Sequence, residues 1–207
     1  MKYTTEQYEF SFENINTKKE KQKTMKYIEA PNYDEITDDQ SLFLAGGITG
    51  VENWQQHAID RLKIINNITI LNPRRKNFEA FKNDSGFKES ETQIKWEFTY
   101  INKAKQVMFW FSHETLQPIA LLELACRLVD NNFRTYTGQQ EIFIGIHPEY
   151  QRKFDLFVQI PLISHGRFKL EKICNSLDKL LDQIIIYNKN MDRYLEATKH
   201  IRPIGVV

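Results

Sequence analysis

The sequence predicts an α/β protein whose parallel sheet is covered by helices on both faces. Short apolar runs alternate with amphipathic helical patterns over residues 41–160, at the spacing typical of βαβ units. The clearest example is the apolar run at residues 106–111, which is followed by a helix that begins at Pro118. Because crossovers between parallel strands are right-handed, these elements predict a small doubly wound fold.

Strands are expected at residues 41–45, 68–71, 106–111 and 141–146, and residues 156–160 form either a fifth strand or part of a short helix. Helices are expected at residues 52–65, 91–104, 118–129 and 168–186. The pattern at 91–104 places Ile94, Phe98 and Ile101 on one apolar side. Residues 73–90 are expected to form a polar loop, and a loop of this length is usually functional or mobile.

Composition divides the chain into three parts. Residues 1–40 form a polar N-terminal extension with a lysine cluster at 18–26, better explained as a solvated segment than as a binding arm. Within it, Tyr8, Phe10 and Phe12 alternate as in a short edge strand. Residues 41–165 form the α/β domain, and residues 166–207 form a C-terminal helix and tail.

Composition also excludes several classes of function. The net charge of +1 gives no bias toward a nucleic acid polymer. No apolar run approaches the ~18 residues of a membrane span, and the N-terminus lacks the apolar core of a signal peptide. The two cysteines, Cys126 and Cys174, suit a reducing compartment, so a cytoplasmic protein is expected.

The most informative residue is Glu123, a carboxylate in an otherwise apolar helix start that follows a buried strand. Ligands bind at the C-terminal ends of parallel strands, and a helix N-terminus favours negative charge. A Glu among leucines must be ion-paired, shifted in pKa or directed at a ligand. Glu97, on the preceding helix, supplies a second carboxylate, and two carboxylates across a cleft are the groups that glycosyl transfer requires.

Two loops at the same edge are further candidates. Glycines in the loop after the first strand would bring backbone N–H groups close to an anion or a sugar, although a plain strand-to-helix turn explains them equally well. Arg74 and Arg75 are able to pair with a phosphate or carboxylate, although a solvated turn is the simpler explanation of these two residues alone. The sequence has no HExxH or CxxC spacing, and neither a metal nor a cofactor is expected.

Six short motifs, in this order, resemble the nucleoside 2-deoxyribosyltransferase-like family over about residues 41–160. They are FLAGGITG at 43–50 with Trp54, LNPRR at 71–75, QIKWE at 93–97, FWF at 109–111, PI at 118–119 and LEL at 122–124. The resemblance implies a flavodoxin-like fold. It also implies transfer of deoxyribose between bases, or hydrolysis of the N-glycosidic bond of nucleosides and nucleoside 5′-monophosphates.

The resemblance further implies roles for individual residues. Glu123 would be the nucleophile that forms a glycosyl-enzyme at C1′, and Glu97 would lie near the base. The glycine loop would border the sugar or a 5′-phosphate, which Ser112 and Thr115 would also contact. The full set of expected substrate contacts is Gly46, Gly47, Ile48, Thr49, Gly50, Trp54, Asn72, Arg74, Arg75, Trp96, Ser112, Glu114, Thr115 and Gln117.

The chain departs from the family's pattern at two places. Ala120, Leu121 and Ala125 stand where the family often has glycines. An Asp that assists proton transfer in the transferases is replaced near Gln117, unless Glu114 substitutes for it. These departures bear on transfer to a second base more than on cleavage of the glycosidic bond.

The sequence therefore predicts a cofactor-free enzyme that acts on a nucleoside or nucleotide through a covalent intermediate on Glu123. Three alternatives stay open: an NAD glycohydrolase with the same site, a nucleotide-binding sensor or scaffold that has lost catalysis, and an interaction module built on residues 165–207. A homo-oligomer, most simply a two-fold dimer, is expected through the helix at 168–186 or the tail. The competing explanation is that this helix covers the sheet of its own chain.

Overall fold

The computed structural model describes residues 25–36, 40–76, 84–134 and 138–198, which fold around one parallel sheet. Its five strands run in the order β1–β3–β2–β4–β5, and every neighbouring pair is parallel. The strands are β1 (Lys26–Glu29), β2 (Gln40–Gly46), β3 (Ile68–Asn72), β4 (Gln106–Phe111) and β5 (Glu141–Ile146). The predicted doubly wound, flavodoxin-like α/β arrangement is confirmed.

Within these described ranges, five helices cover the sheet on both faces. They are α1 (Trp54–Leu62), α2 (Asp84–Lys103), α3 (Pro118–Phe133), α4 (Lys153–Ile163) and α5 (Leu177–Thr198), and a 3₁₀ turn at Leu170–Lys172 lies before α5. The helices α2, α3 and α4 pack on one face, whereas α1 and α5 pack on the other. No helix in the described ranges is both long and apolar enough to cross a bilayer.

The fifth strand differs from the two places at which a further strand was considered. Residues 156–160 lie inside α4, so the helical alternative for them is correct. The additional strand is β1, within the segment assigned to the N-terminal extension, and it pairs with β3 at the sheet edge. Tyr8, Phe10 and Phe12 lie outside the described residues.

The helix α2 begins earlier than expected, and most of the apolar side that the sequence pattern indicated is exposed. It starts at Asp84, so the polar loop predicted for 73–90 is shorter than expected. Ile94 and Phe98 are exposed, while Trp96 and Tyr100 are buried together with Ile101. Two aromatic rings one helical turn apart bury more apolar area than an Ile and a Phe, which explains why this side faces the sheet.

The C-terminal helix also differs from its predicted bounds. It begins at Leu177, because Cys174 pairs with β5 through a bridge to Gly145 and the 3₁₀ turn occupies the residues before it. Its apolar stripe of Leu180, Leu181 and Ile184 is fully buried against the sheet of its own chain. This is the competing arrangement that the sequence left open.

A buried amide cluster fixes the position of α5 on the sheet. The Gln106 side chain on β4 donates from Nε2 to Gln40 Oε1 at 2.7 Å and to Asn188 Oδ1 at 2.8 Å. Asn188 on α5 donates from Nδ2 to Gln106 Oε1 at 3.0 Å and to the Ile184 carbonyl oxygen at 2.9 Å. Because a buried amide without partners is costly, only one register of α5 satisfies this cluster.

Replacing Asn188 with Ala is expected to lower the free energy of unfolding by about 1–3 kcal/mol, because it leaves the Gln106 amide buried and partly unpaired. Denaturant unfolding measures this change, with Asn190→Ala, at an exposed position of the same helix, as the matched control. A loss no larger than that of the control would contradict the role given to the cluster.

Candidate active site

The candidate site lies where the order of the strands reverses. The chain passes from β2 to β3 on one side and then returns to β4 on the other side of β2. The C-terminal ends of β2 and β4 therefore border the crevice in which doubly wound proteins bind ligands. The loops that leave these ends are residues 47–53 and 112–117.

Gln117 joins these two loops. Its Oε1 accepts a hydrogen bond from the Gly47 backbone N–H at 2.8 Å, and its Nε2 donates to the Ser112 carbonyl oxygen at 3.1 Å and to Ser112 Oγ at 2.9 Å. The residue is buried and has a left-handed backbone with φ of 51°. Such a conformation costs about 1–3 kcal/mol in a non-glycine residue and is held only by its surroundings. Gln117, expected as a substrate contact, is thus bound to protein groups and sets where α3 begins.

The glycine loop is shaped by close packing around its first two residues. A Cβ atom on Gly46 would lie 2.5 Å from the Trp110 carbonyl oxygen, so only glycine fits there. The Gly47 carbonyl oxygen accepts hydrogen bonds from Trp54 Nε1 at 2.9 Å and Gln55 Nε2 at 3.0 Å. Trp54 is buried, so its hydrogen bond to the Gly47 carbonyl oxygen anchors the loop to the core. Residues 48–50 lie partly or fully exposed at its rim.

The two arginines after β3 have different surroundings. The Arg74 guanidinium donates to the Glu52 carbonyl oxygen at 2.8 Å, to Gln55 Oε1 at 3.1 Å and to the Val51 carbonyl oxygen at 3.2 Å. It therefore ties the glycine loop to the end of β3. Arg75 instead forms an ion pair with Glu89 on α2 at 3.4 Å.

Asn72, at the end of β3, shapes the turn that carries both arginines. Its Oδ1 accepts a hydrogen bond from the Arg74 backbone N–H at 3.0 Å, and its Nδ2 donates to the Arg74 carbonyl oxygen at 3.0 Å. The same Nδ2 donates to Tyr27 Oη at 2.9 Å. All three contacts are internal to the protein, so the part that this side chain plays is to hold the turn.

The two candidate carboxylates lie on neighbouring helices over the same face of the sheet, Glu97 on α2 and Glu123 on α3. Burial and, after it, the negative charge of Glu97 raise the pKa of Glu123 to about 8, while the positive charge of Arg127 acts in the opposite direction. Burial also raises the pKa of Glu97, against a hydrogen bond from Gln93. Because both pKa values are raised, and that of Glu123 to about 8, the pair binds at least one proton near neutral pH.

Polar groups around the pair connect α2 to the loop after β3 and to α3. Gln93 donates from Nε2 to Glu97 Oε1 at 2.7 Å and to the Pro73 carbonyl oxygen at 2.6 Å, which links α2 to the loop after β3. Arg127 bonds Asn102 Oδ1 at 2.6 Å and Asp130 at 2.8 Å. Within the described residues, Gln93 Oε1 and Arg127 Nε are buried without a hydrogen-bond partner. Unsatisfied buried polar atoms are uncommon and call for an explanation such as a ligand.

Trp96 corrects one expectation from the sequence. Its side chain is fully buried, its ring centroid is 4.7 Å from that of Tyr100, and its Nε1 donates to the Asn32 carbonyl oxygen at 2.8 Å. Adjacent residues of a helix do not share a face, so Trp96 lies on a different side of α2 from Glu97. Trp96 is a core residue rather than a substrate contact.

Glu114 and Thr115 lie at the rim, on the loop after β4. Glu114 Oε1 accepts a hydrogen bond from the Glu52 backbone N–H at 3.3 Å, and a Cβ on Gly50 would lie 3.3 Å from Thr115 Cγ2. The carboxylate whose charge raises the pKa of Glu123 is Glu97, whereas Glu114 is bonded at the rim. Among the residues that the structure describes, no three His, Cys, Asp or Glu side chains form a metal-type cluster.

Some residues of the site carried a weak sequence signal or none. Gln93 lies four residues before Glu97, a spacing at which helical side chains meet, so the sequence could have predicted their contact. Gln55 and Arg127 become relevant only through contacts with distant parts of the chain. Two clefts in the described residues, of about 690 and 240 Å³, are lined by neither Glu97 nor Glu123.

The comparisons with known proteins agree with the geometry. Residues 39–131 match the family model described as nucleoside 2-deoxyribosyltransferase like. The matched segment extends from β2 through most of α3, so it contains the glycine loop, the turn after β3 and both carboxylates. The comparison with curated proteins gave no match.

Replacing Glu123 with Gln is expected to stabilise the protein at alkaline pH. The folded pKa of about 8 exceeds the ordinary value of 4.5, so the native state keeps a proton that the unfolded chain releases between these values. The stability of the native protein therefore falls as pH rises from about 5 toward 8, and the variant should show a smaller fall. Denaturant unfolding across this range measures both, and parallel curves would contradict the assigned burial of Glu123.

Proposed function

We propose that this chain, whose residues 39–131 match the nucleoside 2-deoxyribosyltransferase-like family model, cleaves or transfers at the N-glycosidic bond of a nucleoside or nucleoside 5′-monophosphate. The observation that carries the proposal is the pair of buried, electrostatically coupled carboxyls, Glu97 on α2 and Glu123 on α3. The two free cysteines fit an enzyme of the reducing cytoplasm.

The proposed reaction is a double displacement at C1′ of the sugar. A carboxylate oxygen of Glu123 forms a bond to C1′ as the bond from C1′ to the base nitrogen breaks, and the base leaves with a proton from Glu97. Water or a second base then attacks C1′ and releases Glu123, while Glu97 accepts the proton. Because both groups are supplied by the chain, the reaction needs no cofactor.

The protonation of the pair fits this division of roles. In the free protein, the raised pKa places a proton on Glu123, and the hydrogen bond from Gln93 favours the charged form of Glu97. Positive charge that develops at C1′ favours ionised Glu123, so the proton moves to Glu97 or to the base as the substrate reacts. Arg127 favours the same ionised state.

A binding protein without catalysis is the main alternative. The burial of the carboxyl pair argues against this alternative. A sensor needs the glycine loop and the arginines, but burying two like charges costs stability without improving recognition. An NAD glycohydrolase is the same chemical class, because the nicotinamide bond is an N-glycoside. Incubation with nucleosides, 5′-monophosphates and NAD, with base release as the signal, separates these possibilities.

Replacing Glu123 with Gln is expected to reduce base release by about three orders of magnitude or more, because the nucleophile is lost while the shape of the side chain is kept. Base release measured by chromatography on the best substrate of the panel tests this. Glu171→Gln, at an exposed position on the 3₁₀ turn before α5, is the matched control and should keep native activity. Activity of the Glu123 variant within tenfold of native would refute the mechanism.

A slow substrate with an electronegative 2′ substituent identifies the nucleophile. Intact-mass measurement should show one added sugar, and digestion should locate it on the peptide that contains Glu123. An adduct on another residue, or turnover with no adduct, would argue for direct attack by water.

The two arginines are expected to respond differently to replacement. Arg75→Ala should raise KM for a nucleoside 5′-monophosphate more than tenfold relative to the nucleoside, since a charge-assisted contact contributes about 1.5–3 kcal/mol. Arg74→Ala should weaken both substrates alike, because its guanidinium holds the glycine loop. Steady-state kinetics on matched substrates measures both, and equal effects of Arg75→Ala would assign that residue a structural role.

A further inference from the structure

Three polar side chains form a row along one side of α2. They are Ser90, Gln93 and Glu97, at the intervals of three and four residues that place helical side chains on one face. Ser90 and Gln93 are each only 4% exposed, which is unusual for polar residues. Gln93 bonds the carbonyl oxygen of Pro73, the residue that follows β3, so the row lies at the end of the sheet that holds the candidate site.

The hydrogen bonds of Gln93 fix the orientation of its amide. Its Nε2 carries two hydrogens and uses both, on the Pro73 carbonyl oxygen at 2.6 Å and on Glu97 Oε1 at 2.7 Å. Because a carbonyl oxygen only accepts, the atom that contacts Pro73 must be the amide nitrogen. The remaining polar atom, Gln93 Oε1, is an acceptor that is buried with no hydrogen-bond partner among the described residues.

Ser90 supplies a second buried oxygen of this kind. Within the described ranges its Oγ is buried and forms no hydrogen bond. A buried acceptor without a hydrogen bond destabilises the fold, so each such atom calls for an explanation. Two of them lie one helical turn apart, in the same row as the carboxyl that the proposed reaction uses as its acid. This combination points to a ligand that brings N–H groups to the row.

The donor and acceptor pattern of the row matches one kind of base edge. Glu97 is a donor once it holds the proton, and Gln93 Oε1, one turn away, is an acceptor. Adenine offers the complement, because its N7 accepts and its neighbouring N6 amino group donates. A 6-oxo purine offers two acceptors there, N7 and O6, so its O6 would face the Gln93 oxygen with no hydrogen between them.

We propose that this row selects a 6-aminopurine as the base of the substrate, with Gln93 Oε1 accepting a hydrogen bond from the 6-amino group and Glu97 donating to N7. The inference rests on the proposed function, since it places the base at the same acid. As the bond from C1′ to N9 breaks, its electron pair stays on N9 and the Glu97 proton passes to N7. Adenine then leaves as a neutral tautomer. Ser90 Oγ is a second acceptor for the amino group, which carries two hydrogens.

The specificity of the native protein tests the inference without any variant. Adenine and hypoxanthine nucleosides with the same sugar differ at the 6 position, and kcat/KM should favour adenine by about tenfold or more. Chromatography measures the release of both bases. A smaller preference, or a preference for hypoxanthine, would overturn the inference, while turnover of either nucleoside would leave the proposed reaction standing.

Replacing Gln93 with Met removes the acceptor and keeps the length of the side chain. The preference for adenine should fall by about fivefold or more, whereas loss of the bonds to Pro73 and Glu97 should slow both nucleosides alike. Ser90→Ala, a smaller change, should lower the preference in the same direction. Circular dichroism checks that the variants are folded. A native preference that survives in both variants would overturn the inference.

Gln140→Met is the matched control. The Gln140 amide is buried, donates to the Ile101 and Ala104 carbonyl oxygens at 2.7 Å each, and has a buried Oε1 with no partner among the described residues. It precedes β5, so it lies at the opposite end of the sheet from the candidate site. This variant should keep the native preference for adenine. An equal loss of preference in Gln140→Met and Gln93→Met would overturn the inference.

Binding of the free bases separates this inference from the proposed chemistry. Calorimetry on Glu123→Gln should show adenine bound about tenfold more tightly than hypoxanthine, and Gln93→Met in the same background should remove the difference. If the native protein releases no base but this preference is present, the row is a base site and the proposed reaction fails. If the two bases bind alike, the inference fails whatever the activity of the native protein.

Discussion

The burial of two neighbouring carboxyls, Glu97 and Glu123, is the constraint on which the rest of this structure depends. Glu97 lies on α2 and Glu123 on the adjacent α3, and each has a raised pKa because burial disfavours its charge. Folding must offset this cost through the apolar layers on both faces of the sheet. In the proposed reaction the two carboxyls would supply the nucleophile and the acid, which would give this costly burial a chemical role.

The parallel sheet gives this pair its place. Reversal of the strand order at β2 opens a crevice beside β4, and the Gln117 amide joins the two loops that border it. Because Gln117 also begins α3, the same hydrogen bonds that shape the crevice set the position of Glu123 two turns later. Arg74 has a similar part at the neighbouring loop. Several residues expected to touch the substrate thus hold the backbone that would touch it.

Much of this arrangement was predictable from the sequence, and the exceptions have physical causes. Buried strands such as β4 and the isolated carboxylate of Glu123 have strong local signals, because apolar runs and a charge among leucines are both costly in other settings. β1 was assigned to the polar extension because a four-residue edge strand needs little apolar sequence. Most of the apolar side that the sequence pattern indicated on α2 is exposed, because the helix carries two apolar stripes and tertiary packing buries the aromatic one. Gln117 was identified by position, but its role in joining the two loops depends on the Gly47 backbone N–H, 70 residues away in sequence.

NMR titration of the side-chain carboxyl carbons of ¹³C-labelled glutamate tests most directly whether Glu97 and Glu123 are coupled. In the native protein, Glu123 should titrate near 8, well above its ordinary value of 4.5. In Glu97→Gln its pKa should fall, because the repulsion is removed, yet stay above the ordinary value, because burial remains. A Glu123 pKa in the ordinary range, or one that does not respond to the loss of Glu97, would contradict the claim that the two carboxyls form one site.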